Sequence, residues 1–302
     1  MAKVLLLGGT GFIGSHILYK LLQDKHQLRI LTRRRKNNNK NNVEYVTGHL
    51  LDPNSLKDAL EGVEVIVQSV QFPGHPVERP WLGADHTYEG LDGQGTVNLI
   101  QAIQELGLTD KLKQYLYISG AGAGSKLDYP WIKAKQRAES AITNSGVNFT
   151  IIRPSWVYGK GDQSMSKFVM FAKYLPFFPV IGDGSAPVNP LWVEDLAEIA
   201  YRAILNPEAF GQILEVGTEE LTMTQVAEQV MKVVGTQKPT LYHPKPLMKL
   251  VGLFAQFIPQ SPLSPNSVEF LTMNVHIDNL KDNFFGVKPQ PLSEGLRLSG
   301  LI

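Results

Sequence analysis

The sequence contains no cysteine. Disulfides, thiol catalysis and cysteine-ligated metal are excluded, and a reducing compartment is the expectation. Long apolar runs are missing too: no stretch reaches the roughly 18 residues of a membrane-spanning helix. The first apolar run, KVLLLGG from Lys3, is too short for a secretory signal core and leads straight into a glycine turn. A cytoplasmic location is therefore expected. An excess of one charge is also absent. The net charge is +1 over 302 residues, so no global field calls for nucleic acid or an anionic membrane, and nucleic acid is not expected as a partner. The seven histidines, at 16, 26, 49, 75, 86, 243 and 276, show no metal-ligand spacing. No internal repeat and no Ser/His/Asp hydrolase signature stands out.

What is present is an alternation. KVLLLGG reads as a buried parallel strand, and Ile13, Ile17, Leu18, Leu21 and Leu22 then recur with helical period. LRILT (28–32), VEYVTG (43–48), VEVIVQS (63–69), YLYIS (115–119) and NFTIIRP (148–154) continue the strand series. Helical patterns fall between them, notably over 94–106 and 131–145. Such alternation predicts an α/β fold, a doubly wound parallel sheet covered on both faces.

The glycine turn carries the first chemistry. GGTGFIG fits G-x-G-x-x-G through Gly9, Gly11 and Gly14, and G-x-x-G-x-x-G through Gly8, Gly11 and Gly14. It stands between a strand and a helix, where a dinucleotide pyrophosphate meets a helix N-terminus. A tight turn with no ligand would need the same glycines, but its place at the start of a βαβ unit favours nucleotide binding. At the end of the second strand an acid would bind the ribose 2′-hydroxyl of NAD. LTRRRK offers Arg33, Arg34, Arg35 and Lys36 instead. Guanidinium groups suit a 2′-phosphate, so NADP is expected, with NAD left open.

GGTGFIG, RPSWVYGKGD (153–162), GDG (182–184), PLWVEDLAEIAYRAI (190–204) and TMTQVAEQV (222–230) stand in the order found in extended short-chain dehydrogenases/reductases. The chain resembles the atypical branch of that family, the NAD-dependent epimerase/dehydratase-like proteins typified by the nucleotide-binding accessory subunit of respiratory complex I and its bacterial relatives. The resemblance implies a Rossmann-type domain over 1–160 with a return segment at 187–220. A smaller C-terminal substrate lobe would take 161–186 and 221–302. It implies that Gly8, Thr10, Gly11, Phe12, Ile13 and Gly14 cradle the pyrophosphate. Arg33 and Arg34 would meet the adenosine phosphate. His49 and Leu50, in TGHLLD, would lie where the family contacts adenine, with Pro154 near the carboxamide. An oxidoreductase acting on a carbonyl, hydroxyl or hydrophobic small molecule is the implied activity. A catalytically silent NADP(H)-binding protein with a structural, assembly or redox-sensing role is the alternative.

The departures bear on catalysis. The serine-rich turn after the fifth strand reads YLYISGAGAG, with Ser119 present but Ala121 at the aligned catalytic hydroxyl. In DYPWIKAKQRAES, Tyr129 and Lys133 have Tyr-x-x-x-Lys spacing. The family's further Lys-x-x-Ala-Glu register is met by Lys135, Ala138 and Glu139 instead. That register puts Trp131 in the tyrosine's place and leaves Lys135 to hold the nicotinamide ribose. Pro130 also disfavours helix at Tyr129. Tyr129 and Ser119 remain the candidate catalytic side chains.

One stretch stands apart. PLMKLVGLFAQFIP, 246–259, is apolar nearly all round, with Lys249 and Gln256 as its polar stripe. It is either a core helix of the lobe, a lid over a hydrophobic substrate, or a helix docking peripherally on a membrane or protein partner.

Overall fold

The computed structural model describes residues 2–33, 43–72, 77–258, 261, 263–275, 277 and 280–302. Four βα units open the chain. They are β1 (Lys3–Leu7) and α1 (Phe12–Leu21), then β2 (Gln27–Thr32), β3 (Val43–Thr47) and α2 (Pro53–Leu60), then β4 (Val65–Gln68) and α3 (Gly95–Glu105), and β5 (Gln114–Ile118) and α4 (Pro130–Thr143). β6 (Phe149–Pro154) follows, then β7 (Val157–Tyr158), α5 (Met165–Tyr174), β8 (Phe178–Ile181), β9 (Pro187–Val188), β10 (Leu191–Trp192), α6 (Val193–Ala203) and β11 (Gln212–Val216). The chain ends with β12 (Leu221–Thr222), α7 (Met223–Val234), β13 (Thr240–His243), α8 (Lys245–Ala255), α9 (Pro265–Thr272) and α10 (Leu292–Leu298).

Seven strands form one parallel sheet in the order β11-β6-β5-β4-β1-β2-β3. Strand alternation divides each strand between two cores. Leu5 and Leu7 join the cluster under α2, α3 and α4. Val4 and Leu6 join the one under α1 and α6. All four are wholly buried, which is why the strand is a continuous apolar run rather than an alternating one. Each such side chain contributes about 1.5–3 kcal/mol of burial free energy. A third core, with Phe168, Phe178, Val226, Val230, Leu292 and Leu296, holds the C-terminal lobe. The doubly wound parallel sheet expected from the sequence is therefore present.

Two local details position the site. Tyr129 is extended (φ −111°, ψ 145°) and precedes α4, whose first residue is Pro130. Proline's fixed φ suits that position, and its restriction of the preceding residue keeps Tyr129 out of the helix. Before α3, residues Glu89–Gln94 form a π-helical turn. Such turns insert a residue into the helical ladder and recur at functional sites.

The stretch 246–259 is not a core helix. Across its described part only Gly252 of α8 is buried, while Leu250, Phe254, Phe257 and Ile258 are exposed. Its apolar circumference misled the core reading, because periodicity shows how much of a helix is apolar and not what covers it.

Candidate active site

The strand order turns back between β1 and β4, and ligands of open α/β sheets bind at the carboxyl ends beside such a switch point. The glycine turn lies there. Gly8 has φ +86°, and a Cβ on it would stand 2.8 Å from the Ser69 carbonyl at the end of β4. A Cβ on Gly14 would stand 2.1 Å from the Gly8 oxygen. Both positions therefore require glycine. The turn closes with Gly11 N–H donating to Gly8 C=O at 2.8 Å, and the first bond inside α1 runs from Ser15 N–H to Gly11 C=O at 3.0 Å. The amides of Phe12, Ile13 and Gly14 precede that bond. The first turn carries no acid and no side-chain cap. Amides left this way at a helix N-terminus fit a pyrophosphate, with Thr10 and Gly11 exposed on the rim.

The adenosine end lies beyond β2. Arg33 is exposed; Arg34 falls outside the described residues. His49 follows β3 and accepts from Leu51 N–H through Nδ1 at 3.2 Å. Burial, then the nearby Arg33 charge, lower its pKa, so the imidazole is neutral at pH 7. Leu50 is buried, and its carbonyl accepts from Asn98 Nδ2 at 3.0 Å.

The two lysines of DYPWIKAKQRAES have different surroundings. Lys133 is exposed and pairs with Asp128 at 2.5 Å. Lys135 is buried, with Nζ 2.9 Å from Asp92 Oδ1. Its ammonium also lies 5.2 Å from the centre of the Tyr117 ring. Burial opposes the charge on Lys135, but Asp92 and then Tyr117 outweigh it and hold its pKa above the ordinary lysine value. Tyr117 is pushed up to about 12 by burial, against the pull of Lys135. Asp92 is wholly buried, and its Oδ2 accepts from Phe72 N–H at 2.9 Å. Asp92 and Tyr117 were not singled out in the sequence. The signals were an acid among small residues in GLDGQGT and the Tyr-x-Tyr alternation of β5.

The hydroxyls are committed elsewhere. Ser119 Oγ donates to Glu139 Oε1 at 2.5 Å. Glu139 also takes two bonds from Arg153, at 3.0 and 2.6 Å, and Arg153 reaches Glu215 on β11 at 3.3 Å. Pro154 closes β6, and its carbonyl accepts from Ala121 N–H at 2.8 Å, drawing the turn after β5 to the end of β6. Trp131 stands four residues before Lys135. Tyr129 stacks on it, with centroids 4.7 Å apart and planes 3° from parallel. The Tyr129 hydroxyl donates to Glu269 of α9 at 3.2 Å. Burial and then Glu269 raise its pKa.

A cavity of about 790 Å³ opens in the C-terminal lobe, among Ile181, Ala186, Pro187, Tyr242 and Pro246 with Asp183 and Lys245. Its described lining contains no arginine. Lys245 is already paired with Glu269 at 2.8 Å. Among the described residues no cluster of His, Asp or Glu could hold a metal ion.

A glycine cradle at the switch point of a parallel sheet ordered β3-β2-β1-β4-β5-β6-β11 defines a dinucleotide-binding protein of the extended short-chain dehydrogenase/reductase class. Residues 8–173 match the family described as NAD(P)H-binding, and the chain belongs to that family, on its epimerase/dehydratase-like side. It is 23% identical over 235 residues to the mitochondrial NADH dehydrogenase [ubiquinone] 1 alpha subcomplex subunit 9 of Arabidopsis thaliana, covering 75% of this chain and 56% of that one. The chain thus spans little more than half of that relative. It is 25% identical to a ceramide reductase of Caulobacter vibrioides, over 82% of this chain and 76% of that one. The solved structure of a nucleoside-diphosphate-sugar epimerase from Staphylococcus aureus superposes with a TM-score of 0.76 at 16% identity, covering 99% of each chain. At that identity the likeness is one of fold.

Proposed function

We propose that this chain is an NADP(H)-dependent oxidoreductase acting on a hydrophobic carbonyl or hydroxyl compound. The glycine cradle carries the reading, since its close packing sets the uncapped, acid-free N-terminus of α1 at the switch point of the sheet. Arg33 supports the 2′-phosphate form: no Asp or Glu follows Thr32 before Glu44. The lobe cavity supports the substrate class. A nucleotide-sugar diphosphate calls for bidentate cations, and the described lining offers no arginine and a lysine already paired. A relative that is by name a ceramide reductase fits the same class.

A bound nicotinamide supplies or accepts the hydride. The chain's own residues bind, orient and handle the proton. Lys135 has three N–H donors; Asp92 and the Tyr117 hydroxyl engage two, which leaves one for a ribose hydroxyl. Trp131 carries no proton for the reaction. Tyr129, its pKa raised, stays protonated at neutral pH. Its hydroxyl is bonded to Glu269 and would have to leave that carboxylate to relay the proton; otherwise a water relays it. Steady NADPH consumption across a panel of long-chain carbonyls and quinones tests this.

A second reading, a protein that holds the nucleotide without turnover, is favoured by two observations. The side chain four before Lys135 is an indole, and Ser119 is bonded to Glu139. Tight cofactor retention with no consumption across the panel would select it.

A further inference from the structure

Helix α8 turns its apolar side outward. Leu247, Leu250, Leu253 and Phe254 share one arc of α8 at helical spacing, Phe257 and Ile258 follow in the turn after it, and all are exposed, Phe254 by 67% and Phe257 by 70%. The other side meets the protein. Lys245 and Lys249 both pair with Glu269 of α9. Gly252 presses on the start of α9, where a Cβ would stand 2.7 Å from the Ser264 carbonyl carbon. A helix in contact with water alone shows the reverse arrangement. The exposed arc also faces away from α9, the helix that touches the candidate site, so it does not close over the cleft.

We propose that α8 seats this protein on the surface of an anionic lipid bilayer. Charge supports the choice of occupant. Residues 229–268 contain Lys232, Lys238, Lys245 and Lys249 and no Asp or Glu, in a chain whose net charge is only +1. Glu269 stands alone between two ammonium groups, so the edge of the helix stays positive. The arc itself offers no polar group. A protein interface of useful size draws on about one hydrogen bond per 100–200 Å² for its register. A bilayer asks only for apolar area and a favourable surface charge. Among the described residues no helix is long and apolar enough to cross a membrane, so the contact is with the interface. α9 joins this seat to the site, because Glu269 accepts from Tyr129 and Phe270 meets Trp131 at 6.1 Å. The seat does not depend on the oxidoreductase reading.

Sedimentation of the full chain with vesicles tests it, using phosphatidylcholine alone and phosphatidylcholine mixed with phosphatidylglycerol. Binding is expected on the mixed vesicles, about tenfold weaker on the neutral ones and weakened by salt. Phe254→Asp and Phe257→Asp should each lower it at least about tenfold with an unchanged melting temperature. Failure to bind mixed vesicles, or wild-type binding by both variants, would overturn the proposal. So would loss of the fold in both variants, which would mean a packed face. Dimerisation abolished by Phe254→Asp, without vesicle binding, would assign the face to a second copy and also overturn it.

Discussion

Helices α4 and α8 depart from the usual rule of burial in opposite directions. α4 takes an ammonium, Lys135, into the interior and pairs it with a wholly buried Asp92. α8 keeps its lysines on a carboxylate at its edge and gives leucines and phenylalanines to water. Both arrangements cost free energy in the isolated chain. The difference is what can repay it. The ion pair is compensated within the protein, by Asp92 and by the Phe72 amide that bonds it. The apolar arc of α8 has no compensation among the described residues; the lipid surface proposed for it would supply one.

The comparison breaks most easily at Asp92. Asp92→Ala leaves a buried ammonium unpaired and should destabilise the protein by about 3–5 kcal/mol, read from urea unfolding. A loss under about 1 kcal/mol would show that Lys135 escapes to solvent. Lys135→Gln keeps a donor for Asp92 but removes the charge. It should weaken NADPH binding by about 1.5–3 kcal/mol in calorimetry, whereas Lys133→Ala should stay within about 0.5 kcal/mol. A damaged Lys133→Ala beside a normal Lys135→Gln would overturn the Lys135 register and give Tyr129 the place of the family's tyrosine.

Tyr117 sharpens the interior half of the comparison. Its folded pKa of about 12 exceeds the ordinary phenol value, so the unfolded chain releases this proton first as pH rises. Stability is therefore retained below about pH 10 and lost between about 10 and 12. Tyr117→Phe should remove of order 2 kcal/mol of that alkaline loss, measured by thermal melts across the range. The smallest effect belongs to α8: Phe254→Asp should change unfolding stability by no more than about 0.5 kcal/mol, as an exposed substitution does.

The sheet was legible because strands buried on both faces must be short apolar runs, and β1, β4 and β5 come nearest to that. The glycine turn was legible because a close approach such as that of Gly14 to Gly8 leaves no other residue. Lys135 was found through its register with Ala138 and Glu139, but its partner was not. Asp92 lies 43 residues upstream, and nothing local in GLDGQGT shows that a π-helical turn carries it under α4. Nor could spacing show that Ser119 is bonded to Glu139, since that bond depends on Arg153 arriving from β6. The outward face of α8 was hidden for the same reason: exposure belongs to the assembled lobe.

The bond from Phe72 N–H to Asp92 Oδ2 makes one backbone amide a clock. Phe72 is buried where the chain leaves β4. Its proton can trade with solvent deuterium only when the carboxylate lets go. The exchange rate at this single amide therefore measures how often the buried ion pair opens, with no ligand or substrate needed. A nucleotide that draws Lys135 toward its ribose should change that rate, and so would be detected from the far side of the carboxylate.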